Sequence, residues 1–286
     1  MIKVQRHIDA KAFLDNAGEW LLQEEAENNL LLGIARKMVG APNRYKSPVY
    51  LATIEEDEKV IGCAFRTPPH KIGLTRMPES ALPILVDDIA EVYTGLPAVL
   101  GQENVVKKFS ELWGKKKGIK ASEGKRQRIY QLDRVMSPER ILPGHMRVVE
   151  TRESDIAAEW MDAFHNAVNA TNYDTKQMTG ERIAKQSLFL WYDGQPVSMA
   201  GWIGRTPNGV RTGFVYTPPL FRGKGYATAC VAHLSQRLLD SGIRFCFLYT
   251  DLSNSTSNSI YQKIGYQPVC DVMDYDFEEM NKKNQE

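Results

Sequence analysis

Along the C-terminal half, apolar positions alternate, then switch to helical spacing, in a regular succession. Met146-Arg147-Val148-Val149-Glu150 reads as a strand, Ser154 to about Thr171 as a long helix, about Thr179 to Lys185 as a second helix, and Leu188 to Tyr192 as a strand. A turn at Asp193-Gly194-Gln195-Pro196 leads into a strand through Trp202, and one at Pro207-Asn208-Gly209 into a strand ending at Tyr216. Thr228, Cys230, Val231, Leu234, Leu238 and Leu239 then recur at helical spacing, closed by Asp240-Ser241-Gly242. After the β-prone run Ile243 to Thr250, a helix is predicted from Asn254, a capping residue, to Gly265, a helix-ending one.

The N-terminal half echoes this pattern. Tyr50 to Ile54 and Val60 to Phe65 flank an acidic turn, much as Phe189 to Tyr192 and Val197 to Trp202 flank Asp193-Gly194. Between the halves, Met136 to His145 holds two prolines and a glycine, which interrupt regular structure and predict a domain boundary. The expected division is 1–136 and 145–286.

One segment carries chemistry. After the strand ending in Val215, Tyr216 and Thr217, the chain breaks at Pro218-Pro219 and enters a helix through Arg222-Gly223-Lys224-Gly225-Tyr226-Ala227. Glycines let main-chain N–H groups approach a ligand, and a helix start adds unsatisfied N–H groups with partial positive charge. The segment therefore reads as a cradle for a pyrophosphate. It lacks the Gly-x-x-x-x-Gly-Lys-Ser/Thr loop and the Gly-x-Gly-x-x-Gly spacing, which excludes those two nucleotide-binding signatures.

With its surroundings, this segment resembles the GCN5-related N-acetyltransferase (GNAT) family. Arg222, Gly225 and Ala227 fall on the first, fourth and sixth positions of its Arg/Gln-x-x-Gly-x-Gly/Ala loop, with Ala at the last. Asn254 and Tyr261-Gln262-Lys263-Ile264-Gly265-Tyr266 match its later helix. The resemblance covers about residues 145 to 278. It implies an α/β fold in tandem, each copy a mixed central sheet flanked by helices. The C-terminal copy is implied to transfer an acetyl or short acyl group from acetyl-coenzyme A (acetyl-CoA) to an amine.

The resemblance also implies roles. Main-chain groups of Val215 and Thr217, beside Tyr216, would hold the pantetheine arm, and Arg222, Gly223, Lys224, Gly225, Tyr226 and Ala227 the pyrophosphate. Tyr261 would protonate the departing thiolate; a phenol is neutral near pH 7. Asn254 and Asn258 are candidate cofactor contacts, Asn254 equally a helix cap. In the N-terminal half, Gly73 to Ile89 stands where the cofactor loop and helix would stand. It has no Gly-x-Gly, and Glu79 would repel a phosphate. That half is expected to be a degenerate copy.

Composition narrows the setting. The chain has 286 residues, enough for two cores, and 36 lysines and arginines against 35 acidic residues. That balance gives no electrostatic case for nucleic acid or a membrane surface. The basic runs Lys115 to Lys120 and Lys125 to Arg128 lack interleaved aromatics and read as solvated surface. Cys63, Cys230, Cys246 and Cys270 show no Cys-x-x-Cys spacing and sit in apolar patterns, and the histidines are scattered, so no metal is implied. No signal peptide and no membrane-spanning run is evident, and a cytoplasmic location is expected.

The strand Val210 to Tyr216 carries no carboxylate, so Tyr216, Glu150, His165 and Asp174 remain open as the base, acting through water. The polar stretch His165 to Asp174 is expected to wall the acceptor site, with Tyr173 and Asp174 suited to a polar or cationic small molecule. Trp191 and Trp202 read as core. Two other readings stand beside the small-molecule enzyme: a non-catalytic acyl-CoA sensor and a protein N-acetyltransferase. The oligomeric state is not legible.

Overall fold

The computed structural model describes residues 1–42, 45, 47–136, 141–168 and 174–278. The first series of elements is β1 (Ile2–Arg6), α1 (Ala10–Leu22), α2 (Asn29–Gly40), β2 (Tyr50–Glu56), β3 (Lys59–Arg66), β4 (Ile72–Leu74), α3 (Leu82–Val92), β5 (Ala98–Gly101), α4 (Glu103–Lys117) and β6 (Ala121–Leu132). The second is β7 (His145–Val148), α5 (Ser154–Ala167), α6 (Thr175–Ala184), β8 (Leu188–Asp193), β9 (Gln195–Arg205), β10 (Gly209–Tyr216), α7 (Tyr226–Asp240), β11 (Phe245–Asp251), α8 (Ser255–Ile264) and β12 (Gln267–Phe277). The same order of strands and helices occurs twice, as the echo in the sequence predicts.

The pairings repeat too. In each copy three antiparallel contacts are followed by one parallel contact, β1-β2-β3-β4-β5 in the first and β7-β8-β9-β10-β11 in the second. Each copy is thus a mixed sheet flanked by helices.

Local chemistry explains the elements. Asp9 accepts from the Ala12 N–H at 2.8 Å and starts α1. Asp57 and Glu58 both have positive φ (49° and 66°), the backbone of a two-residue hairpin whose twist suits β2 and β3. Lys115, Lys116 and Lys117 lie in the last turn of α4, where cations favour the helix dipole, and Gly118 ends it at φ 68°.

Alternation along the strands divides each copy into two cores. Tyr50, Ala52 and Ile54 of β2 join the core under α3 and α4, with Leu82, Ile89, Phe109 and Trp113. Leu51 lies in the core under α1 and α2, with Phe13, Leu21, Leu31 and Leu32. In the second copy Phe189 and Trp191 pack with α7 and α8 residues such as Leu234 and Ile264, whereas Leu188 and Leu190 pack with Trp160 and Met161 of α5. Trp191 is core, as expected, and Trp202 packs against the same cluster.

Compact units follow strand pairing more than sequence order. One comprises residues 1–129, 251–253 and 269–286, the other 130–250 and 254–268. Met273 to Asp276 of β12 pair antiparallel with Ala98 to Gly101 of β5, so the end of the last strand belongs to the first unit. The expected division at one linker differs from this. Met136 donates its N–H to the Ile264 carbonyl at 2.8 Å, and Trp191 Nε1 donates to the Pro143 carbonyl at 3.1 Å, which fixes the described flanks of that linker in the second unit.

Candidate cofactor site in the second unit

The site begins where two parallel strands part. Pairing of β10 with β11 runs from Gly209↔Phe245 to Arg211↔Phe247, while β10 continues to Tyr216. Against β9, the register passes from Gly213↔Gly201 to Tyr216↔Met199, one more residue on β10 than on its partner. Phe214 within this bulge has φ 55°, an uncommon backbone for a bulky residue. The bulge bends the strand, and Val215, Tyr216 and Thr217 follow it half-buried.

Beyond the strand the chain turns sharply. Pro218 and Pro219 open a 3₁₀ turn, Pro219–Phe221, and Arg222 folds back so that Nε donates to the Thr217 carbonyl at 2.9 Å. Gly223 (φ 73°) and Gly225 (φ 90°) take left-handed conformations that other residues reach only with strain. A Cβ at Gly223 would meet nothing within 4 Å, so the main chain there faces open space. Arg222, Gly223, Lys224 and Gly225 are exposed, and Tyr226 and Ala227 are half-buried in the first turn of α7.

The start of α7 suits an anion. It has no side-chain cap and no acidic residue in its first turn, a condition it shares with α2 and α3, whereas Asp9, Asp174 and Asn254 cap α1, α6 and α8. Tyr226 donates its hydroxyl to Asp193 Oδ2 at 2.6 Å, which ties the loop to the β8–β9 turn.

The later helix is placed as its motif predicts. Asn254 accepts from the Ser257 N–H at 3.0 Å, and Asn258 Nδ2 donates to the Asn254 carbonyl at 2.8 Å while its Oδ1 accepts from Tyr130 at 3.2 Å. The capping role of Asn254 is therefore present, and Asn258 braces the same turn. Tyr261 lies in the α7–α8 core, 8% exposed, with Val215, Phe221 and Tyr226 packed against that cluster. Its ring meets Tyr266 edge-on, centroids 5.9 Å apart. Burial pushes its phenol up to about 12, so it keeps its proton at neutral pH.

Among the base candidates, Glu150 is engaged in a capping box with Glu153 and an ion pair with Arg152 at 2.8 Å. Asp174 accepts from the Gln177 N–H at 2.9 Å and caps α6. His165 is buried beside Phe164 and Phe214, and burial lowers its pKa, which favours neutral imidazole. Tyr216 stacks obliquely on Trp160, centroids 6.0 Å apart. Residues 169–173 of the expected acceptor wall, Tyr173 included, lie outside the described residues. Among the described residues no group of three or more His, Cys, Asp or Glu side chains is placed to hold a metal ion.

Sequence reasoning missed three features: the left-handed Phe214, the Asp193–Tyr226 tie and the hydroxyls around Tyr266. Only the Asp193-Gly194 turn gave a local signal, because each of the others depends on partners distant in sequence.

The corresponding place in the first unit is built differently. β4 and β5 pair through Gly73↔Leu100, and a Cβ on Gly101 would come within 2.6 Å of the Leu74 carbonyl oxygen, so the strands stay closed to the end of β4. In the turn that follows, the Arg76 side chain reaches Glu24 at 3.5 Å, and burial raises the pKa of the Glu27 carboxyl.

Comparison with known proteins agrees with this geometry. The model of the family described as "FR47-like protein" matches residues 191–273. A GNAT-family acetyltransferase from Colwellia psychrerythraea superposes with a TM-score of 0.61 at 11% identity, covering 96% of this chain and 100% of its own. A Drosophila protein gives 0.68 at 10% identity, covering 96% and 98%. A tandem GNAT protein from the clavulanic acid biosynthesis pathway gives 0.53 at 11% identity, covering 98% of each chain. No curated protein matches the sequence. At such identities the likeness is one of fold, and the fold is a tandem GNAT fold.

Proposed function

We propose that the second unit is an N-acyltransferase that moves an acetyl or other short acyl group from acetyl-CoA to a primary amine, the amine belonging to a small molecule. The observation that carries this reading is the departure of β10 from β11 immediately before a glycine loop and an uncapped helix start. An extended pantetheine arm fits beside Val215, Tyr216 and Thr217 as an added strand edge, and a pyrophosphate fits the donors from Arg222 to Ala227. When bound, the cofactor supplies a thioester.

The chain's own residues supply orientation and a proton. Holding the two reactants together removes much of the entropic barrier to attack. Tyr261 keeps its phenolic proton at neutral pH and is the donor assigned to the thiolate. The neutral imidazole of His165 is the group left to take a proton from the amine through water, since Glu150 and Asp174 are engaged in caps, and Tyr216, as a phenol, can hold that water but not accept the proton.

The absence of a carboxylate on β10 favours one competing reading, an acyl-CoA sensor without turnover. A protein amine as acceptor would alter only what fills the cleft. We assign the protein to the cytoplasm: no described helix is long and apolar enough to cross a membrane, and the four cysteines are free thiols, as a reducing compartment allows.

Calorimetric titration with acetyl-CoA, beside Gly225→Glu, tests the reading. One site per chain, lost in the variant while its melting temperature persists, is expected. Two sites would make the first unit a binder as well, and no binding would overturn the proposal. Turnover in an amine screen then separates the enzyme from the sensor.

A further inference from the structure

Three buried hydroxyls meet where β10 leaves β11. Thr212, the residue after the last parallel pair, places Oγ1 3.2 Å from the Phe247 carbonyl and 3.2 Å from the Tyr266 hydroxyl. Tyr266 lies 2.8 Å from Ser235 Oγ on α7. Tyr266 and Ser235 are fully buried and Thr212 is 4% exposed.

Each hydroxyl has one proton, and a carbonyl can only accept, so the direction of the chain is fixed. Thr212 donates to Phe247, Tyr266 donates to Thr212, and Ser235 donates to Tyr266. The relay spans α7, the link between α8 and β12, β10 and β11. Phe247 is the partner of Arg211 in the last parallel pair. A side-chain hydroxyl of β10 therefore occupies its carbonyl just where the strands separate.

We propose that Tyr266 is a positioning residue whose hydroxyl, through Thr212, holds β10 apart from β11 and sets the width of the cleft that receives the pantetheine arm. This rests on the acyl-CoA reading above. In the first unit the parallel strands remain closed, with Gly101 against the Leu74 carbonyl. Loss of the Tyr266 hydroxyl leaves Thr212 without its donor inside a dry core, where an unpaired polar group is costly and the strand must shift to relieve it.

The test is Tyr266→Phe, titrated by calorimetry with coenzyme A and with adenosine 3′-phosphate 5′-diphosphate, which keeps the pyrophosphate and lacks the arm. Coenzyme A is expected to bind about tenfold more weakly and the diphosphate within about twofold of wild type, a tenfold change corresponding to one ordinary hydrogen bond. Thr212→Val removes the same link from the other side and serves if Tyr266→Phe does not fold. The double variant is expected to lose about tenfold rather than a hundredfold, because both changes break one chain. Unchanged coenzyme A binding in the variants overturns the proposal, and so does an equal loss for both ligands, which would signal general loosening. If wild type itself fails to bind coenzyme A, the acyl-transfer reading falls, and this one with it.

Discussion

Arg222 holds the bend after β10 by donating Nε to the carbonyl of Thr217 at 2.9 Å. Thr217 in turn shares a hydrogen bond with Ser198, Oγ to Oγ1 at 2.8 Å, so the turn is fixed from both its loop side and its strand side. With Nε committed, the terminal nitrogens of the guanidinium are the donors left for a phosphate. Arg222→Lys keeps the charge and removes the fork, which lysine cannot reproduce. Coenzyme A affinity is expected to fall about tenfold, the equivalent of one charged hydrogen bond, with little change in melting temperature. Equal affinity in a calorimetric comparison would show that the bend does not depend on this bond.

Under the proposed role, Tyr261 separates binding from chemistry. Tyr261→Phe leaves the ring in the core and removes the proton donor, so kcat is expected to fall about a hundredfold with coenzyme A affinity unchanged. The pH profile gives a second reading. Because burial pushes this phenol up to about 12, it stays protonated across the working range, and kcat is expected to rise as the amine loses its proton, with no decline attributable to Tyr261 below about pH 10. A descending limb near neutrality that disappears in the variant would contradict the assignment.

Much of the second unit was legible because its signals are local. The alternation of Leu188 to Tyr192, the helical spacing from Thr228 to Leu239 and the Asn254 cap each depend on neighbours a few residues away, and each is found. What was not legible arises over long separations. Nothing local to Met273 or Asp274 states that this end of β12 belongs with β5, since that depends on a strand that ends at Gly101, far back in the chain. The motif pointed to the loop from Arg222 to Ala227. It could not show that Asn258 is engaged with Tyr130, or that Tyr266 joins Thr212 to Ser235.

Stability is expected to decline on mild acidification, with His165 among the causes. Burial lowers its folded-state pKa below the ordinary 6.5, and His7 and His70 are lowered for the same reason. A group with a depressed folded pKa stabilises the native state above its unfolded value, and that contribution is lost as pH falls through the folded pKa, because the unfolded chain takes up the proton first. Melting temperatures measured from pH 7.5 down to pH 5 are expected to fall, and His165→Gln should fall less steeply than wild type. Parallel curves would remove His165 from the account.

The closed strands of the first unit can be disturbed without touching the proposed site. A Cβ at Gly101 would lie 2.6 Å from the Leu74 carbonyl oxygen and 3.0 Å from Val106 Cγ1, and the first of these is backbone that cannot swing aside. Gly101→Val must therefore push β4 from β5 or displace α4, and a cost of about 2–3 kcal/mol is expected, typical of overpacking. Because Gly101 pairs with Met273 on its other side, the strain also reaches the end of β12. Denaturant unfolding should show the loss, while coenzyme A titration at low temperature should keep one site of wild-type affinity. A second site appearing in the variant would mean that closure of these strands is what denies the first unit its cofactor, and a lost first site would mean that the two copies do not act independently.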